Sequence, residues 1–134
     1  MLSYTTTAKR ISLAVALSAL LGAGLAHALR PIENVVDAPI AGNPSMQAVK
    51  DAILRAGAKR RWAMKSTGPG QIHAMQNSRG LMAKVDIKFS RTSYSITYNS
   101  SEGLKYKEGG MIHKRYNAWI ANLKGDIELE LFAL

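Results

Sequence analysis

The chain has 134 residues, with 18 Lys and Arg against 9 Asp and Glu, a net charge of +9 and no cysteine. Disulfide stapling, thiol catalysis and attachment of a lipid to cysteine are therefore excluded. A chain this short holds one ordinary domain, which must fold on its apolar core.

Lys9 and Arg10 form a short positive region before an apolar run, Ile11 to Ala26, broken only by Ser12, Ser18, Gly22 and Gly24. Ala26-His27-Ala28 follows with small residues at the two positions a signal peptidase requires. This order is that of a cleavable leader over residues 1–28. The run is shorter and richer in Ala and Gly than the ~20 apolar residues of a membrane span. Removing those 28 residues leaves 106. Lys9 and Arg10 drop out of the basic count, and the net charge becomes +7. The expected location is periplasmic or secreted, with no stable membrane span after cleavage.

Residues 29–42 read as an extended lead-in punctuated by Pro31, Pro39 and Gly42. A first helix is expected from Asn43 or Ser45, with Pro44 at its first position and Gly57 as its stop. Met46, Val49, Ala52, Ile53 and Ala56 supply its apolar stripe. Four strands should follow. Trp62 and Met64 mark the first, and Ile72 and Ala74 alternate with His73 and Met75 in the second. Ala83, Val85, Ile87 and Phe89 alternate strictly with Lys84, Asp86 and Lys88 in the third, and Tyr94, Ile96 and Tyr98 mark the fourth. Turns at 67–70, 77–80 and 90–92 imply an antiparallel meander. Asn99 to Met111 reads as a Gly-rich loop tacked down by Leu104 and Tyr106.

The last element carries Ile112, Tyr116, Trp119, Ile120, Leu123, Ile127 and Leu131 at helical period. Residues 126–131 also alternate as a strand would, and three acids there oppose a helix macrodipole. The unbroken stripe favours helix. The expected fold is α+β: a two-layer sandwich in which residues 43–134 form helix, four-stranded antiparallel meander and helix, both helices lying on one sheet face.

Tyr94-Ser95-Ile96-Thr97-Tyr98, Leu104-Lys105-Tyr106 and Ile112-His113-Lys114-Arg115-Tyr116-Asn117-Ala118-Trp119-Ile120 form a recognisable order. It resembles uncharacterised small exported proteins of Gram-negative bacteria, in which a YSI-x-Y strand precedes an IH-x-x-YN-x-W-I helix. Trp62 and Gly70-Gln71-Ile72-His73-Ala74 fit the same pattern. The resemblance implies a periplasmic or envelope location and no particular activity. The leader cysteine of many such proteins is absent here.

No catalytic set is legible. There is no Gly-x-Ser-x-Gly elbow, and His73 and His113 lie forty residues apart without an acid in local motif spacing. The ligand pairs of a zinc site are missing, and Gly109-Gly110 lacks the sequel of a phosphate loop. No cofactor, metal or enzymatic role is expected. Asp86, between Lys84 and Lys88, should form an ion pair on an exposed strand face, and Asp126, Glu128 and Glu130 should be solvated. Two candidate binding sets remain. Tyr98, Tyr106 and His113 would line an aromatic cleft between the last helix and the Gly-rich loop. Lys84, Lys88, Arg91, Lys105 and Lys107 would meet an anionic envelope polymer, with binding that falls with salt. The leading expectation is a non-enzymatic module that binds an envelope protein or forms a homodimer. A small hydrolase using His73 or His113 with an acid is the third reading, and nucleic acid is an unfavoured partner because export removes the chain from it.

Overall fold

The structure is a computed structural model that describes residues 28–134. All but the last residue of the expected leader lies outside the described residues. The fold is α+β, with two helices, a five-stranded antiparallel sheet and a separate two-stranded one. In chain order the elements are β1 (Leu29–Pro31), β2 (Val35–Pro39), α1 (Met46–Lys59), β3 (Ala63–Gly68), β4 (Gln71–Ser78), β5 (Leu81–Phe89), β6 (Ser93–Glu102), β7 (Met111–His113) and α2 (Lys114–Phe132). The large sheet has the order β2-β6-β5-β4-β3, and β1 pairs with β7.

The expected meander is present as β3 to β6, but the sheet has a fifth strand. The lead-in supplies it: Val35 pairs with Ile96 and Ala38 with Tyr94, which places β2 at the edge beside β6. Tyr94 and Ile96 present an apolar row that a short apolar segment can extend. The rest of the lead-in is also paired, because Leu29 to Pro31 lie against Met111 to His113.

Several boundaries differ from those expected. Ser45 caps α1, its hydroxyl accepting the Ala48 amide at 3.1 Å. Pro44 precedes that cap and does not open the helix. Gly57 does not end α1. It is buried inside it, and a Cβ there would lie 2.6 Å from Cγ of Met64. The missing side chain lets β3 pack closely on the helix. Arg61 takes the left-handed conformation at the exit (φ 62°), where the Trp62 amide donates to the Gly57 carbonyl at 3.0 Å. β6 runs on to Glu102, so the Gly-rich loop starts later than expected. Ile112 belongs to β7 and not to the last helix.

One buried cluster joins the elements. Val49 and Ile53 of α1 and Tyr116, Ile120, Leu123 and Ile127 of α2 meet Ile72, Val85, Ile87 and Ile96 of the sheet. Each fully buried side chain of this size contributes about 1.5–3 kcal/mol by leaving water. The helical reading of 126–131 holds, because α2 continues to Phe132. Among the described residues no helix is long and apolar enough to cross a membrane.

Candidate functional site

Burying one sheet face leaves the other open. Its central row is Lys65, His73, Asp86 and Thr97, set opposite one another across β3, β4, β5 and β6. His73 Nδ1 donates to Asp86 Oδ1 at 2.9 Å. A bulge in β6 beside Lys84 and Val85 inserts Asn99, whose Nδ2 donates to Asp86 Oδ2 at 2.9 Å. Asp86 therefore pairs with His73 and not with the flanking lysines. The Asn99 and His73 hydrogen bonds hold its carboxyl below the usual range, against a smaller desolvation effect. With Nδ1 donating, the lone pair of neutral His73 lies on Nε2. The register thus brings His73 within hydrogen-bond reach of an acid, one part of what the third sequence reading required, on an open sheet face. Among the described residues no hydroxyl is hydrogen-bonded to His73, and no three His, Asp or Glu side chains gather as a metal site.

The aromatic candidates are brought together, but as a packed cluster. The rings of Tyr98 and Tyr106 stack at 5.0 Å and 16°, and Tyr98 meets Tyr116 edge-on at 5.4 Å. Tyr98 also shares a hydrogen bond with Ser101 at 2.8 Å. His113 caps α2: its Nδ1 accepts the Arg115 amide at 3.1 Å. Burial, then the charges of Arg115, Lys105 and Lys114, pushes the imidazole pKa down. Here the rings contact one another, and the histidine serves the helix terminus.

The cationic candidates are dispersed. Lys84 and Lys88 lie on the open sheet face. Arg91 donates to the carbonyls of Pro44 and Asn43 at 2.8 and 3.0 Å, tying the β5–β6 turn to the start of α1. Lys105 and Lys107 are exposed in the loop before β7.

A further site had no place in the sequence reading. Edge strand β2 and helix α2 run side by side and enclose a hollow of about 430 Å³. Asn117 fastens one end, its Nδ2 donating to the Pro31 carbonyl at 2.9 Å and its Oδ1 accepting the Glu33 amide at 3.1 Å. At the other end Tyr94 donates to Glu128 at 3.3 Å, and Lys124 reaches the same carboxylate at 2.6 Å. A second hollow of about 150 Å³, lined by Ile40, Ala41, Leu131 and Phe132, shares Pro39 and Glu128 with the first. Together they form a trough along α2 from Asn117 to Phe132, roughly 22 Å at 1.5 Å per residue. Apolar side chains stand unburied beside it: Phe132 is 93 % exposed and Val36 73 %. The one advance signal was the lead-in itself, whose alternation is too short to read.

Compared with known proteins, the chain matches no family model, no curated protein and no solved structure.

Proposed function

We propose that the protein is an exported, non-enzymatic module of the bacterial envelope that binds another protein along the trough between β2 and α2. The leader pattern supports export. The observation that carries binding is the exposure of Phe132 and Val36 beside a concave, partly apolar surface. Large apolar side chains kept in water next to a groove are a common mark of an interaction site. The test is photocrosslinking in cells with the native leader intact. A photoreactive residue at Val36 is expected to capture a discrete protein, whereas one at Glu108, in the loop before β7, captures none. Equal labelling from both positions, or none from Val36, would end this reading.

The open sheet face favours a second reading, binding of an anionic envelope polymer. Lys65, Lys84 and Lys88 stand on that face, and the acid among them is engaged by His73 and Asn99. This reading predicts affinity that falls steeply with salt and drops in a K84Q/K88Q variant. Binding that ignores salt would remove it.

A further inference from the structure

The trough is acidic in a protein that is strongly basic. Glu33, Asp37 and Glu128 line it, three of the nine acids in the chain. The cation beside them, Lys124, is held by Glu128. Elsewhere α2 places its acids against α1: Asp126 meets Arg60, and Glu130 meets Arg55 and Lys59. Glu33 and Asp37 have no ion-pair partner among the described residues.

Resting on the protein-binding reading, we infer that the occupant of this trough is a basic segment of a partner protein that alternates lysine or arginine with apolar residues. The argument is charge and shape together. A basic surface repels cationic chains, so an acidic trough on it selects them locally and fixes where they land. Apolar side chains of the segment cover Val36 and Phe132, while its cations meet Glu33 and Asp37, the two trough acids without an ion pair. The length suits an extended segment of about six or seven residues at ~3.3 Å each. The segment does not continue the sheet. The bulge between Val35 and Ala38, with Asp37 at φ 48°, breaks the edge ladder that a sixth strand would need. It lies in the trough, held by side chains.

The test uses the purified protein and a short fluorescent peptide alternating lysine with leucine, read by anisotropy at low salt. The wild-type chain is expected to bind it. E33Q/D37N should weaken binding at least about tenfold, and raising the salt should weaken it in step. F132S, at a side chain 93 % exposed, should weaken it at least about threefold, less than the acidic double variant because the ion contacts remain. E102Q/E108Q, which removes two acids away from the trough, should leave it unchanged. Equal binding of a glutamate–leucine peptide overturns the inference, as does an E33Q/D37N variant within about twofold of wild type. Sedimentation showing a homodimer that forms through Phe132 and excludes the peptide overturns it as well, by making a second copy the occupant. A protein crosslinked at Val36 without any binding of the lysine–leucine peptide overturns the charge inference alone and leaves the protein-binding reading standing.

Discussion

Arg60 Nε donates to Asp126 Oδ2 at 2.8 Å, joining the exit of α1 to the last turns of α2 across 66 residues of sequence. Asp126 is only 8 % exposed, while half of the Arg60 side chain remains in water. Glu130 does the same one turn later. Hydrogen bonds from Arg55 and Lys59 hold its carboxyl below the ordinary range. Two of the three acids that oppose the α2 macrodipole, Asp126 and Glu130, are thereby offset by cations from its neighbour. Of the group the sequence suggested to be solvated, Glu128 alone is exposed, and its cation, Lys124, lies on the same helix.

Removing the arginine should cost more than removing both partners. R60A leaves a mostly buried carboxylate short of its charge-assisted bond and is expected to destabilise the fold by about 1–3 kcal/mol. R60A/D126N should recover part of that loss, with a coupling of roughly 0.5–3 kcal/mol. Urea denaturation of the four proteins in the cycle measures it. Additive single effects would show that the pair contributes little.

Tyr94 and Tyr116 make an opposite pair of predictions. Both are fully buried, and burial raises both phenol pKa values. The Tyr94 hydroxyl donates to Glu128, but that of Tyr116 has no partner among the described residues. Y94F should cost about 0.5–1.5 kcal/mol for one hydrogen bond. Y116F should be neutral or stabilising, since it removes an unsatisfied polar atom. Thermal melts of the two variants distinguish these outcomes, and a large loss in Y116F would mean that a water or ligand meets its hydroxyl.

Gly70 sits in the β3–β4 turn at φ 66°, and a Cβ there would lie 2.6 Å from the Phe89 carbonyl oxygen. Gly80, in the β4–β5 turn at φ 78°, faces open space. G80A is expected to cost about 1 kcal/mol of backbone strain alone. G70A should cost at least about 1 kcal/mol more, because the backbone it meets cannot move without opening β5. Parallel chemical melts check the difference, and equal costs would contradict it.

The caps and pairs also predict a pH profile. Folding depresses the His113 pKa from 6.5, so the unfolded chain binds the proton more readily. Its contribution to stability is present above about pH 6.5 and fades as pH falls through the lower folded value. Protonating Nδ1 would also remove the acceptor for the Arg115 amide. H113S keeps an oxygen cap and should flatten stability between pH 5 and 7.5 at about the same neutral-pH stability. Asp86, depressed by Asn99 and His73, has the same sign at lower pH: its contribution is present above the ordinary carboxylate range and is lost on further acidification. D86N should reduce the acid-induced fall in melting temperature below pH 4.

By itself the sequence determined the elements whose apolar spacing is long enough to be read. The stripes of α1 and α2 and the alternation of β5 and β6 follow from side-chain periods of 3.6 and 2, which depend only on local geometry. The absence of cysteine likewise settled that the core must hold without covalent staples. Tertiary structure alone decided everything that rests on register or on partners distant in the chain. β2 is too short to announce itself and became a strand because Tyr94 and Ile96 offered an edge. His73 met Asp86 through the β4–β5 register, and a bulge delivered Asn99 to the same carboxylate. The trough exists because the segment from Glu33 through β2 and helix α2, more than eighty residues apart at Glu33 and Asn117, come to lie together. Periodicity acts between neighbours along one segment, whereas pairing, burial of charge and concave surface are properties of segments meeting in space.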